Sequence, residues 1–144
     1  FVVEQQLPPL APIPGIKLGL ANAVTLYVLR TGRVRDAALV LAARIILGNL
    51  VCGTVAAMLY AAGGGLCAFA VMALLRRAVL QTWVLGVLGA LGHSLGQMAV
   101  AVAITATPAL LAWLPVMLLA SMAAGAFTGL CVTALLRRLK TLKQ

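Results

Sequence analysis

Residues 37–75 read AALVLAARIILGNLVCGTVAAMLYAAGGGLCAFAVMALL, a stretch of 39 residues with a single charge, Arg44, held between Asp36 and Arg76. A helix needs about 20 apolar residues to cross a ~30 Å hydrocarbon core, so the stretch is too long for one crossing and just long enough for two. A turn at Gly63–Gly65 would leave only ten residues before Arg76. A turn at Asn49–Thr54 instead divides the stretch into spans near 37–51 and 55–75. The triple glycine then becomes a kink or a close-packing point inside the second span.

The flanking charges extend this count to the rest of the chain. Nine of the eleven Lys/Arg residues fall in three clusters: Arg30, Arg33 and Arg35; Arg76 and Arg77; and Arg137, Arg138, Lys140 and Lys143. Cytoplasmic loops carry the Lys/Arg excess, so all three clusters are expected on the cytoplasmic side with an even number of crossings between them. From Arg77 to Arg137 the same arithmetic gives spans near 83–106 and 116–136, joined by an outer loop at Thr107–Pro115. Trp83 and Trp113 then fall at opposite interfaces, where indole rings prefer to sit.

Upstream, residues 16–29 form a short apolar span of about 22 Å at 1.5 Å per residue. It must be tilted, covered by neighbours, or start below the membrane surface. Residues 7–15, LPPLAPIPG, hold four prolines and are expected to be an extended outer loop rather than helix. Residues 1–6 read as the end of a truncated first helix. The expected architecture is an all-α integral membrane protein: a six-helix bundle whose first helix is truncated here. It forms one transmembrane domain over 1–144, with a basic tail at 137–144. The expected location is the cytoplasmic (inner) membrane, multi-pass, with the C-terminus cytoplasmic.

Composition excludes much else. The 144 residues are 64% hydrophobic and 9% charged, where a soluble domain has about a quarter charged, so the natural solvent is lipid. A net charge of +9 could suggest nucleic acid, but a mean hydropathy of +1.14 makes membrane topology the better account and a nucleic-acid partner is not expected. Glu4 and Asp36 are the only carboxylates and His93 the only imidazole, so carboxylate metal cages, paired-carboxylate hydrolysis and a Ser-His-Asp triad lack parts. Cys52, Cys67 and Cys131 show no CxxC spacing, which argues against zinc, iron–sulfur clusters or a disulfide framework. No catalytic residue, metal site or cofactor is expected. Neither a phosphate-loop motif nor an intramembrane acid is present to drive independent pumping.

Polar groups inside spans are costly unless they face protein or water, which singles out Asn22, Arg44, Asn49, His93 and Gln97. In Gly86-Val-Leu-Gly89-Ala-Leu-Gly92-His93-Ser94-Leu-Gly96-Gln97, residues 86, 89, 93, 96 and 97 share one helical face, putting His93 and Gln97 one turn apart on a glycine stripe. Such a stripe admits another backbone or a ligand. On the packing reading, Gly92 and Gly96 form a helix seam and the two polar residues bond to neighbouring helices. On the functional reading they orient a small polar ligand in an apolar cavity. Arg44 either snorkels to the surface or meets an anionic group. Lys17 is an interfacial anchor or a contact for an anionic substrate. Gly125 and Gly129 read as a second packing seam.

PGIKLGLAN at 14–22, the segment from Arg44 through Gly48 to Gly53-Thr54, and LGHSLGQ at 91–97 together resemble the membrane family called heptaprenyl diphosphate synthase component I, also the Gx transporter family. That family in turn resembles the substrate-binding S components of energy-coupling factor (ECF) transporters. The resemblance implies six helices, a capping first outer loop and a pocket opening outward. Its implied site residues are Lys17, Asn22, Arg44, Asn49, His93 and Gln97. Its implied partners are membrane lipid, a transmembrane coupling subunit, ATPase subunits and a small-molecule substrate, anionic or aromatic. The alternative is a non-catalytic membrane component linked to heptaprenyl diphosphate or isoprenoid synthesis, since a conventional prenyl synthase needs Asp-rich pairs for Mg²⁺ and this chain has one Asp.

Overall fold

A computed structural model of the chain describes residues 20–52, 55–78 and 80–142. The expectations for residues 1–6, the proline loop at 7–15, Lys17 and Gly53-Thr54 fall outside these, as does the side chain of Asn49. Five α-helices follow one another: α1 (Leu20–Thr31), α2 (Val34–Cys52), α3 (Val55–Leu75), α4 (Thr82–Thr105) and α5 (Leu114–Thr141), with a 3-10 helix at Pro108–Trp113 between the last two. The described residues are all-helical, without a strand.

Local sequence accounts for the breaks. Asp36, in the first turn of α2, accepts a hydrogen bond from the Arg33 N–H at 3.1 Å, satisfying a donor that the helix start leaves open. α4 stops where Ala106 adopts a left-handed conformation (φ 50°). Proline follows two residues later at the start of the 3-10 helix, where its missing N–H costs nothing. The expected outer loop at Thr107–Pro115 therefore contains ordered helix, and Pro115 lies in the first turn of α5.

Among the described residues, α3, α4 and the Pro108–Thr141 segment are long and apolar enough to cross a membrane. α2, which holds the expected 37–51 crossing, has 19 residues but carries Arg35, Asp36 and Arg44. α1, which overlaps the expected 16–29 crossing and runs two residues past its end, has 12 described residues, about 18 Å of helix. These two segments differ from the other three in length or charge.

α4 is the central helix, packed extensively on α3 and on α5, with α2 against the far side of α3. α1 touches all four of the others. Small residues do the burying while large apolar ones face outward: Leu74 is 81% exposed and Leu119 68%, as expected where lipid is as apolar as leucine. A compact core does form at one end, from Leu26 and Leu29 of α1, Ala37 of α2, Met72 of α3, Leu85 of α4 and Val132 of α5.

This core lies next to the basic clusters. Arg30, in the last turn of α1, donates through Nη2 to the Leu80 carbonyl at 2.6 Å and through Nη1 to the Arg76 carbonyl at 3.5 Å. The α1–α2 and α3–α4 connections are thereby tied together. Trp83 opens α4 beside Gly129 and Arg137 of α5. The described parts of all three basic clusters thus share one end of the bundle, and Trp113, at the start of α5, is about 25 Å along its axis from Trp83, which packs beside Gly129.

Candidate functional site

The three consecutive glycines of α3 organise the middle of the bundle. A Cβ added at Gly64 would stand 2.7 Å from Gln97 Cγ, 2.8 Å from His93 Cε1 and 2.9 Å from His93 Nδ1. His93 and Gln97 therefore lie directly over the bare backbone of Gly64. A Cβ at Gly65 would meet Leu41 Cδ1 at 2.8 Å and Ile45 Cδ1 at 3.8 Å, both on α2. Neighbouring residues of one straight helix thus set His93 and Gln97 of α4 at the same level as residues 41–45 of α2. The glycines serve close packing, and α3 runs through them as continuous helix.

That level is deep in the bundle. Gly64 is about 14 Å from the first residue of α3 and about 16 Å from the last, the middle of a ~30 Å hydrocarbon core. Arg44, within the 41–45 turn of α2, donates from Nη1 to Asn22 Oδ1 of α1 at 3.1 Å. Two residues singled out separately in the sequence, 22 positions apart, are therefore hydrogen-bond partners. The hydroxyls of Ser94 on α4 and Ser121 on α5 are also hydrogen-bonded, and Ser121 can donate to the Met117 carbonyl at 2.7 Å. Ser94 is 5% exposed. Thus α1–α2 and α4–α5 each carry a polar contact inside an apolar frame, and between them the polar side chains of His93 and Gln97 pack on the backbone of α3.

The glycine stripe of α4 divides between two neighbours. A Cβ at Gly96 would collide with the Gly63 carbonyl and the Cys67 side chain of α3, and one at Gly89 would meet Met72 Sδ at 2.7 Å. Gly86 turns to α5, where Gly125 O and Gly129 Cα both lie 2.9 Å from its added Cβ. Protein backbone and side chains occupy this stripe, so of the two occupants it could admit, another helix is the one present. His93 and Gln97 stand at its edge, half-buried.

A separate feature lies at the basic end. An open groove of about 590 Å³ is lined by Gln81, Trp83, Leu130, Thr133, Arg137 and Arg138, among others, and does not include Asn22, Arg44, His93 or Gln97. Among the described residues, no group of three or more His, Cys, Asp or Glu side chains is placed to hold a metal ion. Cys67 and Cys131 are free and exposed.

Sequence reasoning missed three contributors. Ser121 sits in an ordinary small-residue run, Leu118-Leu-Ala-Ser-Met-Ala-Ala-Gly125, with nothing to separate it from packing alanines. Arg30 reads as one cation of a solvated cluster, although its partners are the main chain of another connection. Gly64 was legible as a small residue, but the side chains it seats were not.

Comparison with curated proteins and with solved structures gives no match. A family model does match, over residues 1–135 and so over all of the polar tier and both seams of α4. The chain belongs to the heptaprenyl diphosphate synthase component I family.

Proposed function

We propose that the chain is the substrate-binding membrane subunit of an ECF-type uptake transporter. It captures a small metabolite, anionic or aromatic, and relies on a transmembrane coupling subunit and ATPase subunits for energy. The supporting observation is the level shared by His93, Gln97 and the Arg44 turn, set by Gly64 and Gly65 near the middle of α3. Ionisable and amide groups at mid-depth are expensive in lipid and are retained where they serve a solute path. Transporter sites concentrate at that depth. The Arg44 guanidinium, which donates to Asn22, brings the positive charge that would suit a carboxylate or phosphate, and His93 and Gln97 bring an imidazole and an amide to the same level. Asn22, Lys17 and Asn49 complete the proposed set.

The chain supplies binding rather than chemistry. Component I of heptaprenyl diphosphate synthase is a non-catalytic subunit, in keeping with a protein that lacks the acidic pairs of a prenyl synthase. The family match favours a second reading, a non-catalytic membrane component linked to heptaprenyl diphosphate or isoprenoid synthesis. A prenyl tail calls for a lipid-open apolar groove, whereas a water-soluble solute calls for converging polar groups. The two readings separate on what travels with the protein. Purification of the full-length protein from its own membrane, followed by native mass spectrometry, is expected to retain coupling and ATPase subunits or a water-soluble metabolite. A prenyl synthase subunit or a polyprenyl lipid in their place would establish the second reading.

A further inference from the structure

The groove at the basic end lies apart from the polar tier and has a different composition. It is lined by Gln81 and Trp83 at the start of α4 and by Leu130, Thr133, Arg137 and Arg138 along two turns of α5. α5 has 28 residues, about 42 Å of helix, which exceeds a ~30 Å hydrocarbon core. Counted from Leu114, Arg137 stands about 35 Å along the axis, at headgroup depth. Trp83 stands beside Gly129, about 22 Å along the same axis and so between Arg137 and the middle of the bundle; the residue is 38% exposed and its Nε1 donates to Gln81 Oε1 at 2.6 Å. The groove therefore runs from acyl-chain depth, at Leu130, to headgroup depth, at the two guanidiniums.

Its electrostatics are one-sided. Arg30, Arg76 and Arg77 belong to the same end of the bundle, and Asp36, the one acidic residue among those described, already accepts the Arg33 N–H. The first turn of α4, which borders the groove, has no acidic residue and no side-chain cap on its N–H groups. The positive end of that helix adds to the pull on an anion. Apolar surface at one end, guanidiniums at the other and a Trp between them match an amphiphile with a phosphate head.

We infer that the groove between Trp83 and Arg137–Arg138 is a binding site for an anionic phospholipid, with the phosphate at the two arginines and an acyl chain along Leu130. The site is independent of solute capture at His93. It positions the basic end of α4 and α5 against the charged leaflet.

Brominated lipids test it through Trp83. In the full-length protein carrying Trp113→Phe, Trp83 is the remaining indole of these 144 residues. Reconstituted in mixed bilayers, chain-brominated phosphatidylglycerol is expected to quench Trp83 as though enriched on the order of thirty-fold over brominated phosphatidylcholine. The Arg137→Gln/Arg138→Gln variant should bring that preference close to one. Arg33→Gln/Arg35→Gln removes equal charge elsewhere on the same end and should leave most of it. Equal quenching by the two lipids in the parent protein would overturn the site without recourse to any variant. Equal losses in the two double variants would reduce it to diffuse charge attraction. Relief of quenching by farnesyl diphosphate but not by unbrominated phosphatidylglycerol would assign the groove to a prenyl diphosphate instead.

Discussion

Two levels of the same bundle are built on opposite principles. At the basic end, Leu26, Leu29, Met72, Leu85 and Val132 interlock as fully buried side chains, and Arg30 ties two connections together through main-chain carbonyls. Near the middle, glycines replace the large side chains, and His93, Gln97, Arg44, Asn22, Ser94 and Ser121 occupy the interfaces. A membrane bundle gains little from burying leucine, because lipid is an equally good solvent for it. The apolar end is thus a matter of fit, whereas the polar tier spends insertion energy that fit alone does not require. The difference separates a clamp from a candidate binding level.

Glycine itself has two meanings across these regions. At Gly129 an added Cβ would lie 2.6 Å from Trp83 Cα and 2.8 Å from its carbonyl oxygen, atoms that cannot rotate away. Gly129→Ala is therefore expected to force α4 and α5 apart at a cost of about 1–3 kcal/mol, the largest effect here, seen as a lower unfolding temperature in detergent. If stability is unchanged, the clamp is looser than its geometry implies. At Gly64 the obstructing atoms are side-chain atoms, Gln97 Cγ and the His93 ring, rather than backbone, so an alanine there displaces the polar pair directly.

Arg30→Gln comes next. It removes a charge-assisted hydrogen bond to Leu80 and leaves a carbonyl at a helix end without its partner, for an expected loss of about 1–2 kcal/mol after allowing for partial exposure. Hydrogen exchange should rise in residues 76–81 and at the end of α1 together. A rise confined to one of the two would break the link drawn between the connections. Ser94→Ala should cost least, about 0.6 kcal/mol, because hydrogen bonds between membrane helices average near that value. A much larger loss would move the Ser94–Ser121 pair from the polar tier to the clamp.

The helical scaffold was legible because charge spacing and hydrocarbon thickness are both one-dimensional quantities. Asp36 falls in the first turn of α2 and Arg76 just past the end of α3, and the triple glycine fits as a packing point. The extent of α5 was less visible, since its ends at Leu114 and Thr141 lie beyond the expected 116–136 span in both directions. Polar positions could be named individually from their cost in lipid, but their partners could not. The Arg44–Asn22 bond depends on how α1 crosses α2, and the division of the α4 glycines between two neighbours depends on three-helix packing. A helical wheel groups Gly86 with Gly96. Only the placement of α3 and α5 reveals that they face different helices.

The central claim is that the His93–Gln97 pair over Gly64 binds a solute rather than glues helices. It is tested most directly by native mass spectrometry of the full-length protein beside its His93→Ala and Gln97→Ala variants, each with its unfolding temperature measured. The account predicts a water-soluble small molecule on the parent protein, lost from both variants while their unfolding temperatures stay within a few degrees of the parent's. Variants that keep the molecule, or that lose it only by unfolding, would contradict the account and return the pair to helix packing.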